Sequence, residues 1–228
     1  MGNVAVAGKV HKWLLKNRDK RHLFLRGGGS SAKSWTVAFD LVTRWVQEKN
    51  IGILALRKTR PAVKKSCWVL LHHWLKEMEL PCFVNKSDLI IKAKHADNFI
   101  RCDAFENIFK MRSIEGINYI WIEEAAAIGH DASVTKREFL QLDMMLRAQN
   151  KNGINQMICT YNPVAPVVNA WLKDEETTIH KDSAFLGVTH KDNPFLQKPE
   201  RNRIEALADE DEEYDKIYRQ GIWATPSF

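Results

Sequence analysis

LFLRGGGSSAKS, residues 23–34, is the stretch on which the fold of this chain turns. An apolar run, Leu23, Phe24 and Leu25, enters three glycines, and Lys33 and Ser34 then open an amphipathic segment. Gripping a nucleoside triphosphate requires backbone N–H groups converging on its phosphates, a helix N-terminus facing them and a flexible cation within reach. Gly27, Gly28 and Gly29 permit close backbone approach, Lys33 supplies the cation, and Ser34 supplies a hydroxyl for Mg²⁺. Against the pattern G-x-x-x-x-G-K-[ST], Gly27 takes the first glycine and Ala32 stands at the second, so the match is imperfect. The competing reading is a Gly/Ser loop with an incidental lysine. The order strand, loop, helix speaks against it.

Outward from the loop, Val37, Leu41, Val42, Trp45 and Val46 recur at helical spacing and predict a helix with those residues in the core, stopped by Asn50 and Gly52. IGILALR then reads as a short buried strand ending at Arg57, and PAVKKSCWVLLHHWLKEM as one helix opened by Pro61. Its buried stripe would be Val63, Cys67, Leu70, Leu71, Trp74 and Met78. His72 and His73 are adjacent and cannot both face one metal from a helix, so they are assigned to the surface or its boundary. Residues 83–84, 89–92 and 98–102 read as short strands separated by NKSD and KHAD turns.

YIWI, residues 119–122, is a buried strand followed at once by Glu123 and Glu124. Carboxylates at a strand's C-terminal end stand where an open α/β sheet binds ligands. One can hold Mg²⁺ through water and the other can orient or deprotonate an attacking water. An acidic pair alone is weak evidence; downstream of a phosphate loop it becomes specific. The strand NQMICTY leads to Thr160 and Asn162, which either sense the γ-phosphate by hydrogen bonding or form an Asx turn before Pro163. Alternating strands and helices predict an α/β fold with a mainly parallel central sheet covered on both faces.

The chain has 228 residues, 45% of them hydrophobic and 27% charged, enough to bury the core of one α/β domain but not two. No apolar run reaches the length of a membrane span, and VAVAGKV is too quickly interrupted by charge for a signal peptide, so a cytoplasmic protein is expected. Cys67, Cys82, Cys102 and Cys159 lack metal-ligand spacing and read as reduced core thiols. A net charge of +6 permits a nucleic-acid partner without demanding one. Two basic clusters, Lys9 to Arg21 and Arg57 to Lys65, are each either a solvated face or a polyanion surface.

Taken together, these segments resemble the ATPase domain of the large terminase subunit of tailed bacteriophages, the motor that packages DNA into a prohead. The resemblance is carried by RGGGSSAKS, LRKTRPAVKKS, MRSIEGINYIWIEEA, TYNP, THKDNPFL and YDKIYRQGIW, in order from about Leu23 to Trp223. It implies a P-loop NTPase of RecA-like, ASCE type, with one ATPase domain over 1–228, its core at about 20–190 and a C-terminal helical segment at about 191–228. ATP would be bound by Gly27, Gly28, Gly29, Ser30, Ser31, Ala32, Lys33, Ser34, Trp35 and Asn162. Ser34 and Glu123 would hold Mg²⁺, Glu124 would activate water, and Thr160 and Asn162 would couple phosphate state to movement. Terminases often carry an arginine where Gly29 stands here, so a cis arginine role would pass to Arg26 or be absent.

A ring motor also implies an arginine finger from a neighbour, worth roughly 10³ to 10⁵ in rate. Arg112 is the first candidate and Arg147, at the end of EFLQLDMMLR, the second; each is alternatively a surface charge or a structural salt-bridge donor. The implied partners are double-stranded DNA, the portal protein, the small terminase subunit and further copies of the chain in a ring, within the host cytoplasm. The family's nuclease domain is expected to be absent, the acidic run at 209–213 being in a helix-forming context. Two other readings stay open, a related helicase or recombinase and a nucleotide-dependent DNA-binding switch.

Overall fold

The computed structural model describes residues 6–107, 111, 113–128, 132–151, 153–178 and 180–226. Its elements are α1 (Gly8–Lys16), β1 (His22–Gly27), α2 (Lys33–Gln47), β2 (Gly52–Arg57), α3 (Arg60–Lys65), α4 (Cys67–Glu77), β3 (Cys82–Asn85), β4 (Ile90–Ala93) and β5 (Phe99–Ala104). There follow β6 (Ile117–Glu123), α5 (Lys136–Asp143), β7 (Gln156–Tyr161), α6 (Ala170–Thr177), β8 (Ser183–Val188) and α7 (Lys198–Glu205). Short helical turns at Leu207–Glu210, Glu212–Tyr214 and Asp215–Gln220 complete the described chain.

Central strands buried on both faces need apolar residues at consecutive positions, and β6 and β7 have them: every residue of each is buried. The eight strands form one sheet in the order β3-β4-β5-β2-β6-β7-β1-β8. From β5 to β8 all pairings are parallel, so Gly27, Arg57, Glu123 and Tyr161 end their strands at one edge. That edge is where an open α/β sheet receives its ligands. Along β6, Tyr119 and Trp121 enter the core beneath α1, α2 and α4, while Ile120 and Ile122 join Phe139, Leu172 and Ile217 on the other face. Each fully buried side chain of this kind contributes about 1.5–3 kcal/mol.

The structure corrects the sequence reading in four places. Val46 is half exposed, because α2 buries only the face carrying Val37, Leu41, Val42 and Trp45. The helix expected after Pro61 is two helices, broken at Ser66, whose φ of −127° and ψ of −89° leave the helical region and whose hydroxyl donates to the Ala62 carbonyl. The helix carrying EFLQLD ends at Asp143, short of Arg147. The sheet is not covered on both faces throughout: β3 and β4 form an antiparallel hairpin beside β5, and Phe83, Lys92 and Lys94 on it are exposed.

All four cysteines are free, with Cys82 the one that is not buried. Among the described residues no helix is long and apolar enough to cross a membrane.

Candidate functional site

β1 delivers the chain to its carboxyl edge, where residues 28–32 turn it sharply into α2. Two non-glycine residues make that turn in the left-handed region, Ser30 at φ 55° and Ala32 at φ 59°. Ala32 is the residue immediately before α2, so the imperfect motif position has kept the backbone shape that glycine adopts without strain. Ser31 is buried and its hydroxyl donates to the Gly28 carbonyl, 3.0 Å away, closing the loop on itself. Lys33 Nζ folds back over the loop, donating to the carbonyls of Gly27 (3.2 Å) and Gly28 (3.3 Å) and to Asn162 Oδ1 (2.7 Å). Burial pulls its ammonium down to about pKa 8, with the Glu123 charge pulling the other way.

The acidic strand meets this loop across β7. Ser34 Oγ donates to Glu123 Oε1 at 3.2 Å, bringing together the two candidate metal-side residues. Arg57, at the end of β2, lies against both carboxylates: its Nε is 2.9 Å from Glu123 Oε2, and its Nη2 contacts Glu124. The Nε approach is off the direction of a hydrogen bond, so buried Glu123 Oε2 has an ionic neighbour and no hydrogen-bond donor. Glu124 itself sits at φ 53°, in the left-handed region, with its side chain half exposed. That turn lifts the second carboxylate out of the strand and into solvent at the sheet edge.

A hydroxyl oxygen beside a carboxylate is a hard oxygen donor set, which suits Mg²⁺ completed by phosphate oxygens and water. Among the described residues no cluster of three or more His, Cys, Asp or Glu could hold a metal.

The other expected site residues divide. Asn162 is in the site, through Lys33. Thr160 turns away into the sheet, its hydroxyl accepting from Trp121 Nε1 at 3.0 Å. The Trp35 ring packs on α4, 4.7 Å from the His73 ring and 4.6 Å from that of Trp74. Arg26 pairs with Glu176, whose Oε1 also accepts from Tyr161 Oη (2.9 Å) and Trp223 Nε1 (3.0 Å). Burial pushes the Tyr161 phenol well above its ordinary pKa, and the Glu176 charge adds to the rise, so it remains a donor. Arg147 lines a concavity with Asn50 and Gly116, at the opposite end of the strands. Arg112 lies outside the described residues.

Three contacts of the site were not foreseen. Arg57 was legible as a strand end within LRKTRPAVKKS, but its contact with the two carboxylates depends on β2 lying beside β6, a non-local pairing. Asn193, in the DNP segment, donates from Nδ2 to the Ser30 carbonyl at 2.8 Å. The third is the turn at Asp215–Gln220: the Gly29 N–H donates to the Tyr218 carbonyl at 3.0 Å, and that of Gly28 to Val188 at 3.2 Å. A Cβ on Gly28 would stand 2.2 Å from the Tyr218 oxygen, so only glycine allows this closeness. Gly221, at φ 69°, ends the helical turn.

Comparison with known proteins gives one family and several similar folds. The family described as phage terminase large subunit matches residues 19–222. The PBSX phage terminase large subunit of Bacillus subtilis (strain 168) is 24% identical over 224 residues, covering 90% of this chain and 50% of that protein. The chain thus spans about half the length of the curated relative it matches. The large terminase of a thermophilic bacteriophage superposes with a TM-score of 0.76 at 17% identity, over 96% of this chain and 53% of that one. That protein has also been solved with ADP and with ATP-γ-S. The large terminase ATPase domain of Thermus phage P74-26 superposes at 0.66 with 12% identity, over 94% of this chain and 93% of that one. The fold these likenesses show is the P-loop NTPase fold read from residues 23–34 and 119–124.

Proposed function

Because the chain belongs to the phage terminase large-subunit family, we propose that it is the ATP-hydrolysing unit of a motor that drives double-stranded DNA into a prohead. The observation that carries this reading is the convergence of Lys33, Ser34, Glu123 and Asn162 at one sheet edge, with Ser34 3.2 Å from Glu123 and Lys33 2.7 Å from Asn162. ATP phosphates would lie along residues 27–34, taking the backbone N–H groups at the start of α2 and the Lys33 ammonium. Ser34 and Glu123 would hold Mg²⁺, which would neutralise charge on the phosphate oxygens.

Glu124, raised toward solvent by its left-handed backbone, would accept a proton from the attacking water. Arg57 would keep the two adjacent carboxylates together until a metal and nucleotide take over part of that neutralisation. Asn162, which touches the lysine that would touch phosphate, would report nucleotide state to β7. The reading extends to a single ATPase domain over 1–228 with its C-terminal segment at about 191–228. It includes an arginine from a neighbouring copy, for which Arg112 is the candidate, and a ring docked at the portal with the small subunit, in the host cytoplasm.

Steady-state hydrolysis with Mg²⁺, for this chain and for Glu124→Gln, tests it alongside nucleotide binding. A lost general base should lower turnover roughly 10²-fold or more while binding survives. Wild-type turnover should rise with protein concentration as neighbours complete the site. A wild-type chain that binds no nucleotide, or a Glu124→Gln variant that hydrolyses normally, would sink the proposal.

A further inference from the structure

Several side chains of the two basic clusters are already engaged by carboxylates. In the first basic cluster, Lys9 pairs with Asp192, Arg18 with Asp40, Lys20 with Asp19 and Arg21 with Asp143. In the second, Arg57 holds Glu123 and Glu124, and Lys58 holds Glu138. On the β3–β4 hairpin, Lys92 and Lys94, with no ion pair among the described residues, line one concave face. Phe83 pairs across the hairpin with Lys92, and the buried Ile91 points to the opposite face, toward α4. Period-two alternation then places Lys92 and Lys94 on the same outer face as Phe83.

No helix among the described residues covers that face, and Phe83 is 64% exposed. It forms one side of a concavity of about 780 Å³ whose ionisable lining is Lys49, Lys92, Lys94, His95 and a single carboxylate, Asp97. The concavity reaches Asn98 and Phe99, at the amino end of β5, and so lies away from the phosphate loop.

We propose that this uncovered outer face of the hairpin is a contact surface for the phosphate backbone of duplex DNA, with Lys92 and Lys94 as its phosphate-binding groups. An excess of ammonium over carboxylate on a concave sheet face is complementary to a polyanion. The Lys94 ammonium lies over the Phe83 ring, 5.6 Å from its centroid. In this way the ring helps to position the cation. The surface is thereby suited to a backbone read without regard to sequence. The proposal rests on the DNA-motor reading only for the identity of the polyanion.

The test is fluorescence anisotropy with a labelled mixed-sequence duplex across a range of salt, using the chain, a Lys92→Glu/Lys94→Glu variant and a Lys12→Glu/Lys16→Glu control. The control makes the same charge change on exposed residues of α1. Each lost phosphate contact should flatten the plot of log affinity against log salt by about 0.9. The hairpin variant should therefore lose a slope of about 2 and at least about tenfold in affinity. The control should move less than about twofold, since it removes no backbone contact. Phe83→Ala, which frees Lys94, should fall between them.

Nucleotide affinity, read at the far edge of the sheet, should be unchanged in all variants. Its failure in the wild type would strike the ATPase reading and leave this one standing. Equal losses in hairpin variant and control, unchanged duplex binding in the hairpin variant, a preference for single strands, or no duplex binding by the wild type would each overturn the assignment.

Discussion

At the carboxyl edge of the sheet, Lys33, Arg57, Glu123 and Glu124 neutralise one another or bond to the loop. On the β3–β4 hairpin, by contrast, Lys92 and Lys94 face solvent with no ion pair to a carboxylate among the described residues. The first arrangement holds charges in place for a ligand that must displace their present partners. The second leaves charges to water, where any polyanion meets them directly. An internally balanced site can be selective and gated by the cost of exchange, whereas an exposed one is general and salt-sensitive.

That contrast can be broken at the balanced end. Replacing Arg57 with Gln would leave two adjacent carboxylates, one of them buried, without their cation. Arg57 is partly solvated, so we expect a loss of stability of about 2 kcal/mol, below the range for a fully buried pair. Mg²⁺ with ADP should restore more of this loss than it adds to the wild type, because the metal would supply the missing charge. Thermal melts with and without Mg·ADP decide it, and equal ligand shifts in both proteins would mean Arg57 does not balance the pair.

A smaller effect should appear with pH. Burial holds the free Lys33 ammonium at about pKa 8, below its usual 10.5. Phosphates in the loop would favour the charged form and raise that value, so binding above pH 8 requires taking up a proton. Nucleotide affinity should be flat up to about pH 7.5 and then fall, by at most about tenfold per pH unit above 8. Calorimetry in buffers of different ionisation heat would register the uptake.

The smallest change sharpens the comparison without touching charge. Ala32→Gly places glycine where the backbone is already left-handed, at φ 59°. Relief of that strain is worth about 1 kcal/mol, partly offset by the freer unfolded chain that glycine brings. We expect a melting temperature equal to or slightly above that of the wild type, with hydrolysis retained; a clear loss of stability would show that the Ala32 methyl is needed in the core it adjoins.

What the sequence disclosed was whatever depends on neighbours along the chain. Residues 23–34 and 119–124 carry their strand, loop and carboxylates in one stretch, and the contacts Lys33–Asn162 and Ser34–Glu123 join them at one edge of the sheet. The fold class followed from the same segments. Arg57 was legible only as a basic residue at a strand end, because its partners come from β6 and the strand order cannot be counted off a sequence. The break at Ser66 was hidden by apolar spacing that runs on undisturbed through it. The outer face of the hairpin was hidden too: alternation reveals that a strand has two faces, and only the packed structure reveals which one has been left uncovered. Thr160 and Trp35 had the right place in the sequence, yet rotamer and packing turned both toward the interior.

The hydrogen bond from Gly29 to Tyr218 has a mechanical reading as well. Phosphate loop and C-terminal turn share a bond at 3.0 Å, and the missing side chain of Gly28 lets the two backbones touch like meshed gear teeth. Neither can shift outward without the other following or the bond breaking. Residues nearly two hundred positions apart along the chain are thus coupled at this point, and the tail of the described chain is in gear with the loop that would receive the phosphates.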